Sequence, residues 1–122
     1  MKMLIKKQAT FPKRLLALAI VLAACSSTPA TLKVTLVAED IMWNMTEIHA
    51  KVGQPIEITV RNDGALDHNL VISELGVDIL LSPGDIEVLP VFTIDQPGSI
   101  KYICNIPGHE EAGMVGEIII SE

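Results

Sequence analysis

The sequence is poor in aromatic residues, cysteine and histidine, and it has no apolar run long enough to span a membrane. Aromatic residues make up 3% of the 122 residues, so a core must be built from aliphatic side chains. The N-terminal apolar run at residues 15–24 has ten residues, whereas a transmembrane helix needs about 20. Two cysteines and three histidines exclude enzymes that need a large cluster of metal ligands.

Basic residues are few and unevenly placed. Five of the nine basic residues precede position 15, whereas all fifteen acidic residues lie at or after position 39. Residues 25–122 therefore combine four basic with fifteen acidic residues, a net charge of −11. Because such a surface repels phosphate, we expect no nucleic-acid partner.

The N-terminus has the pattern of an export signal. A basic segment precedes the apolar run, and the Leu-Ala-Ala-Cys at 22–25 resembles the bacterial lipoprotein signal, whose cysteine becomes the lipid-modified first residue. This predicts a signal peptide over residues 1–24, a lipidated Cys25 with a short tether over residues 25–31, and an exported domain over residues 32–122. The domain would lie on the outer face of the cell membrane or in the periplasm. An ordinary cleavable signal is the alternative to the lipoprotein signal. A Cys25–Cys104 disulfide is the alternative to lipidation of Cys25.

From residue 32 onward, short β-branched runs alternate with turn residues, and no helical period persists. Strands are predicted at residues 32–36, 55–61, 69–72, 86–89, 91–94, 99–104 and 115–120. Residues 74–81 are the least clear stretch and are interpreted as a loop with one helical turn. Seven or eight short strands in this length predict an all-β fold, a two-sheet antiparallel sandwich.

Three side chains that bind soft or borderline metals fall within eleven residues near the C-terminus. Cys104, His109 and Met114 follow a C-x₄-H-x₄-M spacing in a loop between two predicted strands, and His68 opens a strand upstream. Two histidines, one cysteine and a weak methionine are typical of blue-copper electron-transfer sites. The set leaves no obvious open position for a substrate and no general base, so we expect neither an enzyme nor a small-molecule substrate.

Two segments, 67–72 and 102–120, resemble the copper-binding stretches of the cupredoxins, and the resemblance extends from residue 32 to the C-terminus. The ligand loop is most similar to those of the auracyanin, rusticyanin and plastocyanin branches. The resemblance implies a Greek-key sandwich with one type 1 copper, held by His68, Cys104 and His109 as equatorial ligands and by Met114 as the axial ligand. It also implies that Asn69 joins the two ligand loops through hydrogen bonds.

The resemblance implies a one-electron carrier at a membrane surface, whose partners are redox proteins, such as cytochromes, with a basic docking face. A copper-handling lipoprotein that delivers or sequesters the metal is the alternative, and a metal-free adhesive sandwich is a weaker one. The copper-handling hypothesis draws on Met42, Met45 and His49, which could form a second, weak copper site. Otherwise His49 is expected to be a surface strand residue.

The sequence departs from the family pattern directly before Cys104 and directly after His109. Many relatives carry an aromatic residue directly before the ligand cysteine, but this sequence has Ile103. We therefore expect electrons to pass through the exposed edge of His109. Glu110 and Glu111 follow that histidine and are either solvated loop charges or groups that steer a basic partner.

Overall fold

The computed structural model describes residues 27–122, so the predicted signal peptide and Cys25 lie outside the described residues. The described chain contains nine strands and one 3₁₀ turn at Ser73–Leu75. The strands are β1 Leu32–Glu39, β2 Met42–Trp43, β3 Glu47–Lys51, β4 Ile56–Asn62, β5 His68–Ile72, β6 Val77–Leu81, β7 Ile86–Val88, β8 Gly98–Ile103 and β9 Val115–Ser121. Within residues 27–122, no helix has the length and apolarity needed to cross a bilayer.

The strands form two sheets that pack as a sandwich. Sheet I has the order β2-β1-β4-β7, and sheet II has the order β3-β9-β8-β5-β6. This confirms the all-β Greek-key sandwich. The sheets are mixed, however, because the β1–β4 and β3–β9 pairs are parallel. The chain visits sheet II through β3 between β1 and β4, and such a crossover is what allows two strands of one sheet to run in the same direction.

The core between the sheets is aliphatic, as the low aromatic content requires. In β4, Ile56, Ile58 and Val60 are fully buried on one face, while the residues between them are more exposed. The other fully buried leucines and isoleucines are Leu36, Leu70, Ile72, Leu81 and Ile118. Each such side chain stabilises the fold by about 1.5–3 kcal/mol relative to an exposed one.

The strand predicted at residues 91–94 is wrong. Only Phe92 forms a β-bridge there, to Ile56 of β4. Strand β7 pairs with β4 in a regular antiparallel register that continues to the hydrogen bond from the Leu89 N–H to the Ile58 carbonyl. Pro90 follows and has no N–H to donate, and the Ile56–Phe92 bridge lies one residue out of that register. The proline therefore introduces a bulge that ends the strand.

The stretch at 74–81 is more regular than the sequence indicated. The 3₁₀ turn ends at Gly76, whose φ of +65° suits glycine, and β6 follows as an edge strand paired with β5. The sequence of β6 does not alternate between apolar and polar residues, because Leu80 is apolar although it points outward and is 65% exposed. Strand β3 was also not predicted, although His49 does lie on its exposed face.

Tyr102 fills the space above a glycine of the neighbouring strand. Tyr102 in β8 pairs with Gly116 in β9, and a Cβ at Gly116 would overlap the phenol ring. The hydroxyl donates a 2.8 Å hydrogen bond to the Met45 carbonyl, and Trp43 contacts the ring edge-on. Burial, assisted by the negative charge of Glu47, raises the pKa of Tyr102 to about 12.

Because Tyr102 is the single tyrosine, the near-ultraviolet absorbance of tyrosinate reports its ionisation alone. We expect the folded protein to titrate near the raised pKa of about 12 rather than at the ordinary 10. Stability linked to this group is fully present below pH 10 and is lost as the pH rises through 12, because the unfolded chain ionises first.

The matched variant is Tyr102→Phe. It should lose about 1 kcal/mol of unfolding free energy at neutral pH, because the hydrogen bond to Met45 is gone. It should also lack the wild-type decline between pH 10 and 12. Tyrosinate formation near pH 10 in the folded protein would contradict the prediction.

Candidate metal centre

Strand pairing in sheet II brings the predicted ligand positions to one end of the sandwich. His68 is the first residue of β5, Cys104 follows β8, and Met114 precedes β9. Strand β8 is antiparallel to both β5 and β9. The start of β5, the end of β8 and the start of β9 therefore lie side by side, although His68 and Cys104 are 36 residues apart.

Three donor atoms converge at this end. The Nδ1 atoms of His68 and His109 lie 3.2 Å apart, and the Cys104 Sγ lies 3.4 Å from the Nδ1 of His109 and 4.0 Å from that of His68. His68 and Cys104 are fully buried, while His109 is partly exposed. Two imidazole nitrogens and one sulfur thus surround a single point that is largely enclosed by protein.

The dimensions of this triangle suit a metal ion. Metal–nitrogen bonds of about 2.0 Å and metal–sulfur bonds of about 2.3 Å, as zinc makes them, place the donors of a trigonal site roughly 3.5 Å apart. The three edges here, 3.2, 3.4 and 4.0 Å, bracket that separation. A buried thiol beside two ring nitrogens is also the donor set that type 1 copper uses.

The surroundings of His68 keep its imidazole neutral, as a metal ligand must be. Burial lowers the pKa of His68, and the nearby His109 lowers it further. Asp40 and Asp67 oppose the shift without reversing it. When Nδ1 binds a metal, the neutral ring carries its proton on Nε2.

The loop from Cys104 to Met114 is closed by its own backbone. The Cys104 N–H donates to the Met114 carbonyl, and the Met114 N–H donates to the His109 carbonyl, both at 3.0 Å. Gly108 and Gly113 have φ of +87° and +100°, which side-chain-bearing residues rarely adopt. These turns hold His109 and the fully buried Met114 against the cysteine.

Hydrogen bonds of the Asn69 side chain join the two ligand segments. Its side-chain oxygen accepts the Asn105 N–H at 2.9 Å, and its Nδ2 donates to the side chains of Asn105 and Asp78. Its backbone N–H points at the Cys104 Sγ at 3.5 Å. One residue therefore fixes the strand that carries His68 to the segment that carries Cys104 and donates a hydrogen bond to the sulfur.

A family model of the cupredoxin-like domain matches residues 14–120. The chain is a cupredoxin. Auracyanin-A of Chloroflexus aurantiacus is 24% identical to it, over 88% of this chain and 93% of that protein. The copper-resistant cuproprotein CopI of Rubrivivax gelatinosus is 27% identical over 71% of this chain, and the match covers 65% of CopI. Dithionite-reduced auracyanin from Roseiflexus castenholzii has a similar structure, with a TM-score of 0.62, 23% identity, and coverage of 79% of this chain and 98% of that chain.

Membership in this family confirms the predicted cofactor, one type 1 copper, and the donor triangle fits it. The cupredoxin site also depends on a residue that sequence reasoning did not single out. Asn62 is fully buried, and its Nδ2 donates to the carbonyls of Leu66 and Leu81, while its Oδ1 accepts the Gly64 N–H. It thereby shapes the loop that leads to His68. The signal was present, because Asn62 falls on the inward-facing positions of β4.

The methionine–histidine set at residues 42–49 differs from the main site in its burial and contacts. Met45 packs against the core, whereas His49 lies on the exposed face of β3 and contacts Glu47 at 3.1 Å. Met42 is 52% exposed. A second copper site at these residues stays a prediction.

Proposed function

We propose that this cupredoxin is a one-electron carrier whose copper is held by His68, Cys104, His109 and Met114. The observation that carries the proposal is the enclosed triangle formed by two Nδ1 atoms and one Sγ, with edges of 3.2–4.0 Å. Copper bound there would supply the reversible one-electron step between Cu(II) and Cu(I). A carrier needs donors that move little between oxidation states, and these donors lie on strands and turns tied by backbone hydrogen bonds.

The buried ligands and the partly exposed one would have different tasks. His68 and Cys104, both fully buried, shield the centre from water. The Asn69 N–H directed at the Cys104 sulfur withdraws electron density from the thiolate, which is one of the factors that tune such sites. His109 is the partly exposed ligand, so its ring edge is the proposed path for an electron to the surface.

The test is a visible spectrum of the purified protein loaded with Cu(II) and titrated with ascorbate. We expect an intense blue band that bleaches on reduction and returns on reoxidation. Cys104→Ser should abolish the band completely, because the thiolate is its source. Cys25→Ser is the matched control and should leave it unchanged, because Cys25 precedes the predicted domain.

Copper handling is the second candidate, and the similarity to CopI favours it. Delivery requires the metal to enter and leave, whereas the full burial of Cys104 and His68 favours retention. A pale protein that binds one copper and releases it quickly to a chelator would support this function and contradict the carrier.

We also propose that the partner is a redox protein with a basic docking face, such as a cytochrome. The predicted domain is strongly acidic, and Glu110 and Glu111 directly follow His109. Lys101 lies 3.5 Å from Glu110, whereas none of the ion pairs among residues 27–122 includes Glu111. Glu111 is thus the stronger candidate for steering a cation toward the copper.

Stopped-flow oxidation of the Cu(I) protein by a basic cytochrome c tests this docking proposal. Glu111→Gln should lower the association rate and flatten its dependence on salt, because one attractive charge is removed. Glu74→Gln removes the same charge from the exposed 3₁₀ turn and serves as the control. Equal rates and equal salt dependence in the Glu111 variant and the control would show that Glu111 is a solvated loop charge without a steering role.

We propose, finally, that the protein is exported and anchored by a lipid on Cys25. The support is the basic segment, the ten-residue apolar run and the Leu-Ala-Ala-Cys at 22–25. Expression in a bacterial host should yield a membrane-bound protein that begins at Cys25 and has the mass of a lipidated cysteine. Cys25→Ala should prevent this processing. Mature protein of unmodified mass in the soluble fraction would indicate an ordinary cleavable signal.

A further inference from the structure

One buried nitrogen beside the metal centre has no hydrogen-bond partner. His68 is fully buried and turns Nδ1 toward the donor triangle, and the tautomer that leaves Nδ1 free for a metal carries its proton on Nε2. Among the described residues, Nε2 has no acceptor within hydrogen-bond distance. A metal-binding histidine almost always donates its second N–H to a carboxylate, a carbonyl or water. The Nε2 of His68 therefore lacks the hydrogen-bond acceptor that a metal-binding histidine normally has.

The charged group that faces this nitrogen is the carboxylate of Asp40, whose Oδ1 lies 3.9 Å from Nε2. That separation is about 1 Å longer than a hydrogen bond. The same Oδ1 accepts the backbone N–H groups of Ala65 at 2.8 Å and Leu66 at 3.3 Å. Asp40 is thus fixed to the loop that precedes His68, although it belongs to the turn between β1 and β2.

Two backbone features of this cupredoxin support the position of Asp40. A Cβ at Gly64 would overlap the Asp40 Oδ1, so the carboxylate occupies space that only glycine leaves open. The next residue, Ile41, has a φ of +63°, which is strained for a β-branched side chain. Strain of this kind costs about 1–3 kcal/mol and is concentrated at functional sites.

We propose that Asp40 is a positioning residue for the copper site, and that its carboxylate accepts the Nε2–H of His68. The contact fixes the ring orientation and the tautomer that leaves Nδ1 free for the metal. A carboxylate on this N–H also makes the imidazole a stronger electron donor, which stabilises Cu(II) relative to Cu(I). The second consequence rests on the proposed electron-carrier function, whereas the first does not.

Asp67 provides a matched control. It adjoins His68 in sequence and is exposed, and its charge also acts on His68, but it is not within 4.0 Å of the ring nitrogens. Asp40→Asn and Asp67→Asn each remove one negative charge. Asparagine at position 40 keeps an oxygen that can accept the Ala65 N–H, so the loop should stay folded. A difference between the two variants therefore reports the contact with Nε2 rather than charge at a distance.

The first measurement is the exchange rate of the His68 Nε2–H, followed by NMR in the metal-free full chain. We expect exchange about tenfold or more faster in Asp40→Asn, because a hydrogen bond to a charged acceptor is weakened, and an unchanged rate in Asp67→Asn. The second measurement is the reduction potential of the copper-loaded chain. Asp40→Asn should raise it further than Asp67→Asn does.

An exchange rate in Asp40→Asn equal to that of the wild type would overturn the proposal. So would a change in potential no larger than that of Asp67→Asn. A wild-type chain that binds copper without turning blue would instead overturn the proposed function. In that case the exchange measurement on the metal-free chain still decides the role of Asp40.

Discussion

The antiparallel pairing of β5, β8 and β9 is the constraint on which the metal centre depends. It places the first residue of β5 beside the residue after β8 and the residue before β9. The donors His68 and Cys104 come from these positions, and the loop after Cys104 returns His109 to the same end. Because ladder hydrogen bonds fix the strands and turn hydrogen bonds fix the loop, the donor separations are a property of the fold rather than of flexible side chains.

Two asparagines hold the loops at this end of the sandwich through hydrogen bonds. Asn69 joins the segments that carry His68 and Cys104, and Asn62 shapes the loop between β4 and β5. Both are buried in an otherwise apolar sandwich, where an amide is tolerated only when its hydrogen bonds are made. The same low-polarity setting keeps His68 neutral and encloses the sulfur of Cys104. This burial and these hydrogen bonds are the basis of the proposed carrier function.

Much of the sandwich could be predicted from alternation alone, and the failures have local causes. The strand at 91–94 was predicted because Val91, Phe92 and Ile94 resemble a β run, but Pro90 removes a donor and shifts the register. Strand β6 was missed because Leu80 is apolar and exposed. The parallel pairs could not be predicted, because pairing direction depends on which sheet the chain visits between two strands, and no local pattern records that.

The donor types, their order and the turns that hold them can be predicted from the sequence, because C-x₄-H-x₄-M spacing and its glycines are local properties. The sequence also indicated His68 and Asn69, through the resemblance of their segment to the cupredoxins. Which polar groups surround the donors depends on how the two sheets pack. Asp40 reaches His68 from a turn 28 positions earlier, and its carboxylate occupies the space left open at Gly64. No pattern in the sequence predicts contacts between residues so far apart along the chain. These contacts form only when the two sheets pack together.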